Sequence, residues 1–155
     1  MPISRFFAIG ALLLLVTMPL LSCSDKPPAN LGISDSKLAP CPKSPNCVSS
    51  DARDSKHNTP PLQLIMPPSE AFQIARELVL KLPRTRIINE TSEYLHAECK
   101  SALFGFVDDL ELNLRPTERI IAIRSASRLG YSDFGVNRRR VTELRNSLIS
   151  RGAVQ

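Results

Sequence analysis

The chain has 155 residues, with 20 Lys and Arg against 15 Asp and Glu for a formal charge of +5, which leaves room for one domain and little more. Trp is absent and Tyr occurs twice, so the modest basic excess is not accompanied by the aromatic-interleaved groove of a nucleic-acid binder. Residues 1–22 carry a single charge, Arg5, whereas nine of the thirteen prolines fall between Cys23 and Pro68, which divides the chain into segments of different character.

In chain order, Arg5 is a short positive n-region, residues 6–16 are an apolar h-region, and Leu20-Leu21-Ser22-Cys23 closes the segment. That layout is an export signal over residues 1–22. The apolar run is shorter than the roughly 20 residues a membrane-spanning helix needs. Leu20, the small Ser22 and Cys23 resemble a bacterial lipobox, which implies cleavage before Cys23 and acylation of its thiol. Several acyl chains, at about 0.8 kcal/mol per buried methylene, give stable anchoring where one chain does not. The expectation is an exported chain whose partner is a membrane, held through the lipid on Cys23. By resemblance to lipoproteins of Gram-negative cells, Ser24 in place of a retaining Asp implies the periplasmic face of the outer membrane. Loss of the leader removes Arg5 and leaves a charge of +4, suited to an anionic surface or ligand.

Residues 24–40 (SDKPPANLGISDSKLAP) have no periodicity and read as a flexible tether following the lipidated Cys23. Residues 41–152 read as the globular domain, beginning with an extended wrap over residues 41–68, where Pro60-Pro61 and Pro67-Pro68 forbid regular helix. Cys41 and Cys47 bracket a short loop stiffened by Pro42 and Pro45, and a disulfide between them is the favoured pairing in an oxidising compartment. Such a bridge adds on the order of 2–3 kcal/mol by loop entropy. A zinc site competes for these cysteines, but only His57 and His96 exist to complete it and paired short spacings are missing. No metal and no cofactor is expected. Cys99 reads as a buried free thiol.

The core reads as residues 69–152. Ser69 is the expected N-cap of a helix ending at Pro83, with Phe72, Ala75, Val79 and Leu82 on one face. Residues 86–91 and 94–101 read as paired strands; Leu95, Ala97 and Cys99 face one way and His96, Glu98 and Lys100 the other. Residues 106–114 follow, with Leu110, Leu112 and Leu114 alternating against Asp109, Glu111 and Asn113. A turn at Pro116 leads to a fourth strand over residues 120–128, and a last helix over residues 137–149 turns Val141, Leu144 and Leu148 inward. Short connections favour an antiparallel arrangement. The expected fold is therefore α+β and two-layer: a four-stranded antiparallel sheet with an N-terminal and a C-terminal helix on one face.

Two features point to a site. Hairpin parity puts Leu110 and Leu112 on the face of Ile121 and Ile123, so Arg124 stands opposite Asp109 or Glu111 on the other face. Along the core row the apolar pattern gives way to Ser125 and Ser127, with Asp108 nearby; this is either a pocket rim or a strand leaving the core. Further on, if Asn137 caps the last helix, Arg138, Arg139 and Arg140 occupy its first turn, where the helix dipole disfavours cations by a few tenths to about 1 kcal/mol each. Either internal carboxylates offset them or a bound anion does.

Three separated stretches, Cys41-Pro42…Ser44-Pro45-Asn46-Cys47-Val48-Ser49-Ser50, Gly105-Phe106-Val107-Asp108-Asp109, and Arg124-Ser125-Ala126-Ser127-Arg128…Gly130-Tyr131-Ser132-Asp133…Gly135-Val136-Asn137-Arg138-Arg139-Arg140, resemble the domain-of-unknown-function family 1499. The resemblance covers about residues 38–148. It implies an exported bacterial protein and supplies no catalytic residue. A nucleophile elbow, a Gly-rich phosphate loop and a metal-binding histidine helix are all missing from the sequence. The reading is a non-catalytic envelope lipoprotein that binds an anionic small ligand or envelope partner. Its candidate ligand residues are Arg124, Arg128, Arg138, Arg139, Ser125 and Ser127, with Asp108 and Asp109 holding the guanidiniums. The alternatives are a small envelope hydrolase or transferase using Asp108 and a serine, which needs a base while His96 falls on another strand, and a scaffold that docks a partner through residues 41–68.

Overall fold

The computed structural model describes residues 27–155; the export signal and Cys23 lie outside the described residues. A 14-residue helix, α1 (Pro68–Lys81), opens the core. Its boundaries follow from proline chemistry. Pro67 is the N-cap and Pro68 sits at the first helical position, where the missing N–H is no loss. No side-chain cap bond forms, so Ser69 is not the cap its residue type suggested. At the other end Leu82, which precedes Pro83, is forced into extended backbone at φ −64 and ψ 138.

Among the described residues eight strands flank this helix in sequence: β1 (Ile33–Ser34), β2 (Lys37–Leu38), β3 (Cys47–Ser49), β4 (Leu62–Gln63), β5 (Thr85–Glu90), β6 (Tyr94–Lys100), β7 (Val107–Arg115) and β8 (Ile120–Ser127); α2 (Val136–Ser150) follows. The fold is α+β with two helices and a mostly antiparallel sheet. The sheet has six strands rather than four. Strands β5 to β8 form a meander, and β3 and β4 both pair with the outer edge of β8, β3 along residues 124–126 and β4 along residues 120–121. The proline-punctuated stretch expected to wrap the domain therefore supplies two short edge strands. A two- or three-residue strand carries no alternation to read, and Val48 and Leu62 are the inward residues that decide their placement.

One face of the sheet carries Leu95, Ala97, Cys99, Leu110, Leu112, Leu114, Ile121 and Ile123, and these share a single buried cluster with Ala71, Phe72, Ala75 and Val79 of α1 and Val141, Leu144 and Leu148 of α2. Ala153 and Val154 belong to the same cluster, so packing continues past residue 152. The opposite face is covered by the start of the described chain. Strands β1 and β2 form a hairpin, Gly32 N–H donates to Glu111 Oε1 at 2.8 Å, and Leu38 packs with Tyr94 and Ala122. The stretch expected as a tether thus engages the sheet from residue 28 onward, because the buried carboxylate of Glu111 and the apolar pair beneath Leu38 give it partners. Cys41 and Cys47 are disulfide-bonded, and Cys99 is a buried free thiol. No described helix is long and apolar enough to cross a membrane.

Candidate functional site

The register of β6, β7 and β8 sets out the polar face in cross-strand rows: Tyr94, Asn113 and Ala122; then His96, Glu111 and Arg124; then Glu98, Asp109 and Ala126. Of the two partners that parity allowed for Arg124, the structure selects Glu111. Arg124 Nη1 donates to Glu111 Oε2 at 2.8 Å, while Glu111 Oε1 accepts from the Tyr94 hydroxyl at 2.8 Å. One row further, Arg128 forks onto Asp109 at 3.0 and 2.7 Å and reaches Glu98 Oε1 at 2.6 Å. His96 Nε2 lies 2.7 Å from Asp109 Oδ1, and Arg86 closes on Glu98 Oε2 at 2.9 and 2.8 Å.

These are buried charges, and their protonation follows from their partners. Burial opposes ionisation of Asp109, yet hydrogen bonds from His96 and Arg128 outweigh it and hold the carboxyl below the usual range. For Glu98, burial is likewise outweighed by the hydrogen bonds from Arg128 and Arg86. The bonds to Asp109, and then those to Glu98, push the Arg128 guanidinium further up. Burial and the neighbouring Glu111 raise the Tyr94 phenol, so it stays a donor. Three arginines face three carboxylates, and the layer is balanced.

One atom is not. Among the described residues, Arg124 Nε is the one buried side-chain polar atom without a hydrogen-bond partner, although its residue is 5 % exposed. Arg124 and Arg128 line a cleft of about 350 Å³, roofed by Pro28, Asn30, Pro40 and the disulfide loop, with Ser127 at its edge. Leaving such a donor unsatisfied costs roughly 1–3 kcal/mol, more for a charged group.

The other candidates lie elsewhere. On the helix side of the sheet, Ser125 Oγ donates to Asn137 Oδ1 at 2.6 Å and accepts from Arg140 Nη1 at 2.9 Å. Asn137 Nδ2 donates to Ser127 Oγ at 2.9 Å, to Asp133 Oδ2 at 2.9 Å and to Asn46 O at 3.1 Å. Arg140 Nη2 reaches Asp108 Oδ2 at 2.7 Å. The polar end of the core row is therefore filled by protein groups. Asn137 is not the cap of α2. The helix starts at Val136 with Gly135 as N-cap in the left-handed region, φ 77, a conformation glycine adopts at little cost. Asp133 supplies the capping carboxylate, accepting from Gly135 N–H at 3.0 Å and Asn137 N–H at 2.7 Å. Asp133 and Asp108 are the internal anions that the arginine-loaded helix start called for.

Arg138 donates to the carbonyls of Asn58 and Lys56 at 3.1 and 2.8 Å, and Arg139 to that of Phe134 at 2.9 Å. Both are exposed. The eight predicted ligand residues thus fall into three places: Arg124, Arg128 and Asp109 on the outer face; Ser125, Ser127 and Asp108 toward α2; Arg138 and Arg139 on the helix surface. Only Ser127, at the strand end, borders the outer cleft from the second group. Sequence reasoning left out Arg140 and Asn137, which organise the second cluster, and Glu98, Glu111, Tyr94 and His96 from the first. The alternation of β6 already placed Tyr94, His96 and Glu98 on one face.

Neither serine hydroxyl is bonded to a histidine. His96 stands on the opposite face, against Asp109, while both serines are engaged by Asn137. Among the described residues no three His, Cys, Asp or Glu are grouped to hold a metal ion. No curated protein and no solved structure shows significant similarity to the chain. The family described as protein of unknown function, DUF1499, matches residues 37–148, which takes in both polar clusters and most of the sheet, and the chain belongs to that family.

Proposed function

We propose that the protein is an envelope lipoprotein, anchored through Cys23, that binds the acidic group of a small ligand in the outer cleft lined by Arg124 and Arg128. The observation that carries the ligand reading is the unpaired Arg124 Nε. A guanidinium engaged on one side by Glu111 keeps a fixed N–H direction on the other, and a carboxylate or phosphate oxygen is the acceptor such a fork suits. Because the arginines and carboxylates of the layer balance, recognition rests on directed hydrogen bonds rather than on a net positive field. The lipobox-like Leu20 to Cys23 run supports the anchor, and the disulfide of Cys41 and Cys47 is of the kind that persists in an oxidising compartment. The cleft sits beneath residues 28–42, so a ligand entering it touches the start of the domain.

The test is a titration of the ¹⁵N-labelled protein with inorganic phosphate and with acetate, following arginine Nε–H resonances. The Arg124 resonance, assigned by its loss in Arg124→Lys, moves on binding. The double variant Arg138→Gln, Arg139→Gln gives the same response, since neither side chain lines the outer cleft. An Arg124 signal that stays fixed with both anions sinks the ligand reading.

A further inference from the structure

The end of the sheet from which β6 leaves, β7 enters and β8 leaves carries two loops, residues 101–106 and 128–135. The sequence of the first is SALFGF, without a charge, and the second carries only Asp133 beyond Arg128. Leu103 is 81 % exposed, Phe104 68 % and Phe106 45 % on one loop; Leu129 is 45 %, Tyr131 73 % and Phe134 88 % on the other. Phe72 and Tyr94 are the remaining aromatics of the described chain, and both are buried. So the core takes two aromatic side chains and this one end holds four in solvent. Between the loops lies an apolar groove of about 410 Å³. Patches of this kind mark interaction surfaces. Bordering it, Arg84, Lys100 and Arg139 line an adjoining cleft in which Glu143 is the one acid.

The path of the chain says what covers this end. Followed backward from Leu38, packed by Tyr94 and Ala122, it passes Gly32 at Glu111 and reaches Pro28 beside Ser127 and Arg128. It therefore runs along the sheet toward the end that bears the loops, and Ser127 borders both the outer cleft and the apolar groove. From residue 27 to Cys23 there are four residue-to-residue steps, a reach of about 14 Å at full extension. An acyl group on Cys23 thus keeps this end of the domain at the headgroup layer.

We infer that the loops of residues 101–106 and 128–135 dock on the anionic surface of the bilayer, with Phe104, Phe106, Tyr131 and Phe134 entering the interface and Arg84, Lys100 and Arg139 facing lipid headgroups. Aromatic side chains suit that depth because one end of the interface is apolar and the other wet. The inference rests on the anchoring at Cys23 proposed above for its geometry. It concerns a surface that meets the ligand cleft at Ser127.

The chain holds no Trp, so single substitutions report without background. Phe104→Trp and Phe134→Trp in the acylated full-length protein are reconstituted into vesicles of phosphatidylethanolamine and phosphatidylglycerol with brominated acyl chains. Glu118→Trp, in the turn at the opposite end of the sheet, is the control. The two loop tryptophans shift to the blue and lose about half their emission or more to bromine, as burial to interfacial depth requires; the control does neither. Equal quenching at positions 104, 134 and 118 overturns the inference. So does a blue shift without bromine quenching that accompanies a doubled mass in detergent, which assigns the surface to a second copy. Mass spectrometry of the N-terminal peptide reads the anchor independently: an unacylated Cys23 with quenched loop tryptophans removes the anchor and leaves the docking surface, and an acylated Cys23 with unquenched ones does the reverse.

Discussion

At the scale of single residues, Asn137 joins more of the molecule than any of the arginines around it. Its amide links β8 through Ser125 and Ser127, the loop before β3 through Asn46, and the start of its own helix through Asp133, and it is fully buried. Asn137→Ala removes one side chain and with it hydrogen bonds to β8, to the loop before β3 and to the start of α2, which costs roughly 2–4 kcal/mol by the unsatisfied-group argument; urea unfolding at neutral pH measures it. Serine at the same position recovers little, since one hydroxyl cannot donate twice and accept twice. Asn137 is of a residue type that favours caps; Asp133, four residues earlier, places its carboxylate on the Gly135 and Asn137 N–H groups instead. The inward role was nonetheless readable in the spacing. Asn137 stands four residues before Val141 and seven before Leu144, both of the buried stripe, and Arg140 shares that side of the helix. Three consecutive arginines conceal which one turns inward until the helix phase is fixed by its apolar residues.

Among the elements, those with enough length to show a period were legible and those without it were not. Alternation over β6, β7 and β8, and the 3.6-residue stripe of α1 and α2, rest on repeated burial of the same side, so the sequence carries the signal several times. β3 has three residues and β4 two, and what places them is non-local: pairing with β8 and, for β3, the disulfide that begins it. Cys47 is buried at the first position of β3, and its bond to Cys41 fixes the loop that roofs the outer cleft. Reduction with dithiothreitol lowers the unfolding free energy by about 2–3 kcal/mol on the loop-entropy estimate. Hydrogen exchange locates the loss: the amides of β3 pair with β8 at residues 124–126 and lose protection first, while β6 and β7, held on both edges, keep theirs. Uniform loss of protection across the sheet contradicts this division between edge and centre.

For the molecule as a whole, the two faces of the sheet make stability depend on different conditions. The helix side is apolar apart from its one polar end, whereas the outer side stores charge in Glu98, Asp109, Glu111, Arg124 and Arg128 beneath residues 28–40. Both Glu98 and Asp109 are held below their ordinary values in the folded state. In the unfolded chain they return to about 4, so unfolding takes up protons as pH falls through that region. The sign follows: a carboxyl depressed by folding contributes stability above its unfolded value and loses that contribution as pH drops toward the folded one. Asp54, lowered by its bond to His57, and Glu90, lowered by its bond to Arg76, act in the same direction, but both lie open to solvent and count for little. Urea midpoints are therefore expected to be level between about pH 5 and pH 7 and to fall steeply below about pH 4. Glu98→Gln separates the contribution of the layer from general acid effects. At pH 7 it costs roughly 2–4 kcal/mol, because Arg128 and Arg86 lose a buried carboxylate that Gln replaces with a neutral oxygen. As pH falls, the wild type loses the same charge by protonation, so the gap between the two proteins narrows. A gap that stays constant down to pH 3 means the cost of Glu98→Gln is one of shape, and that the ionised layer does not set the acid limit of the fold.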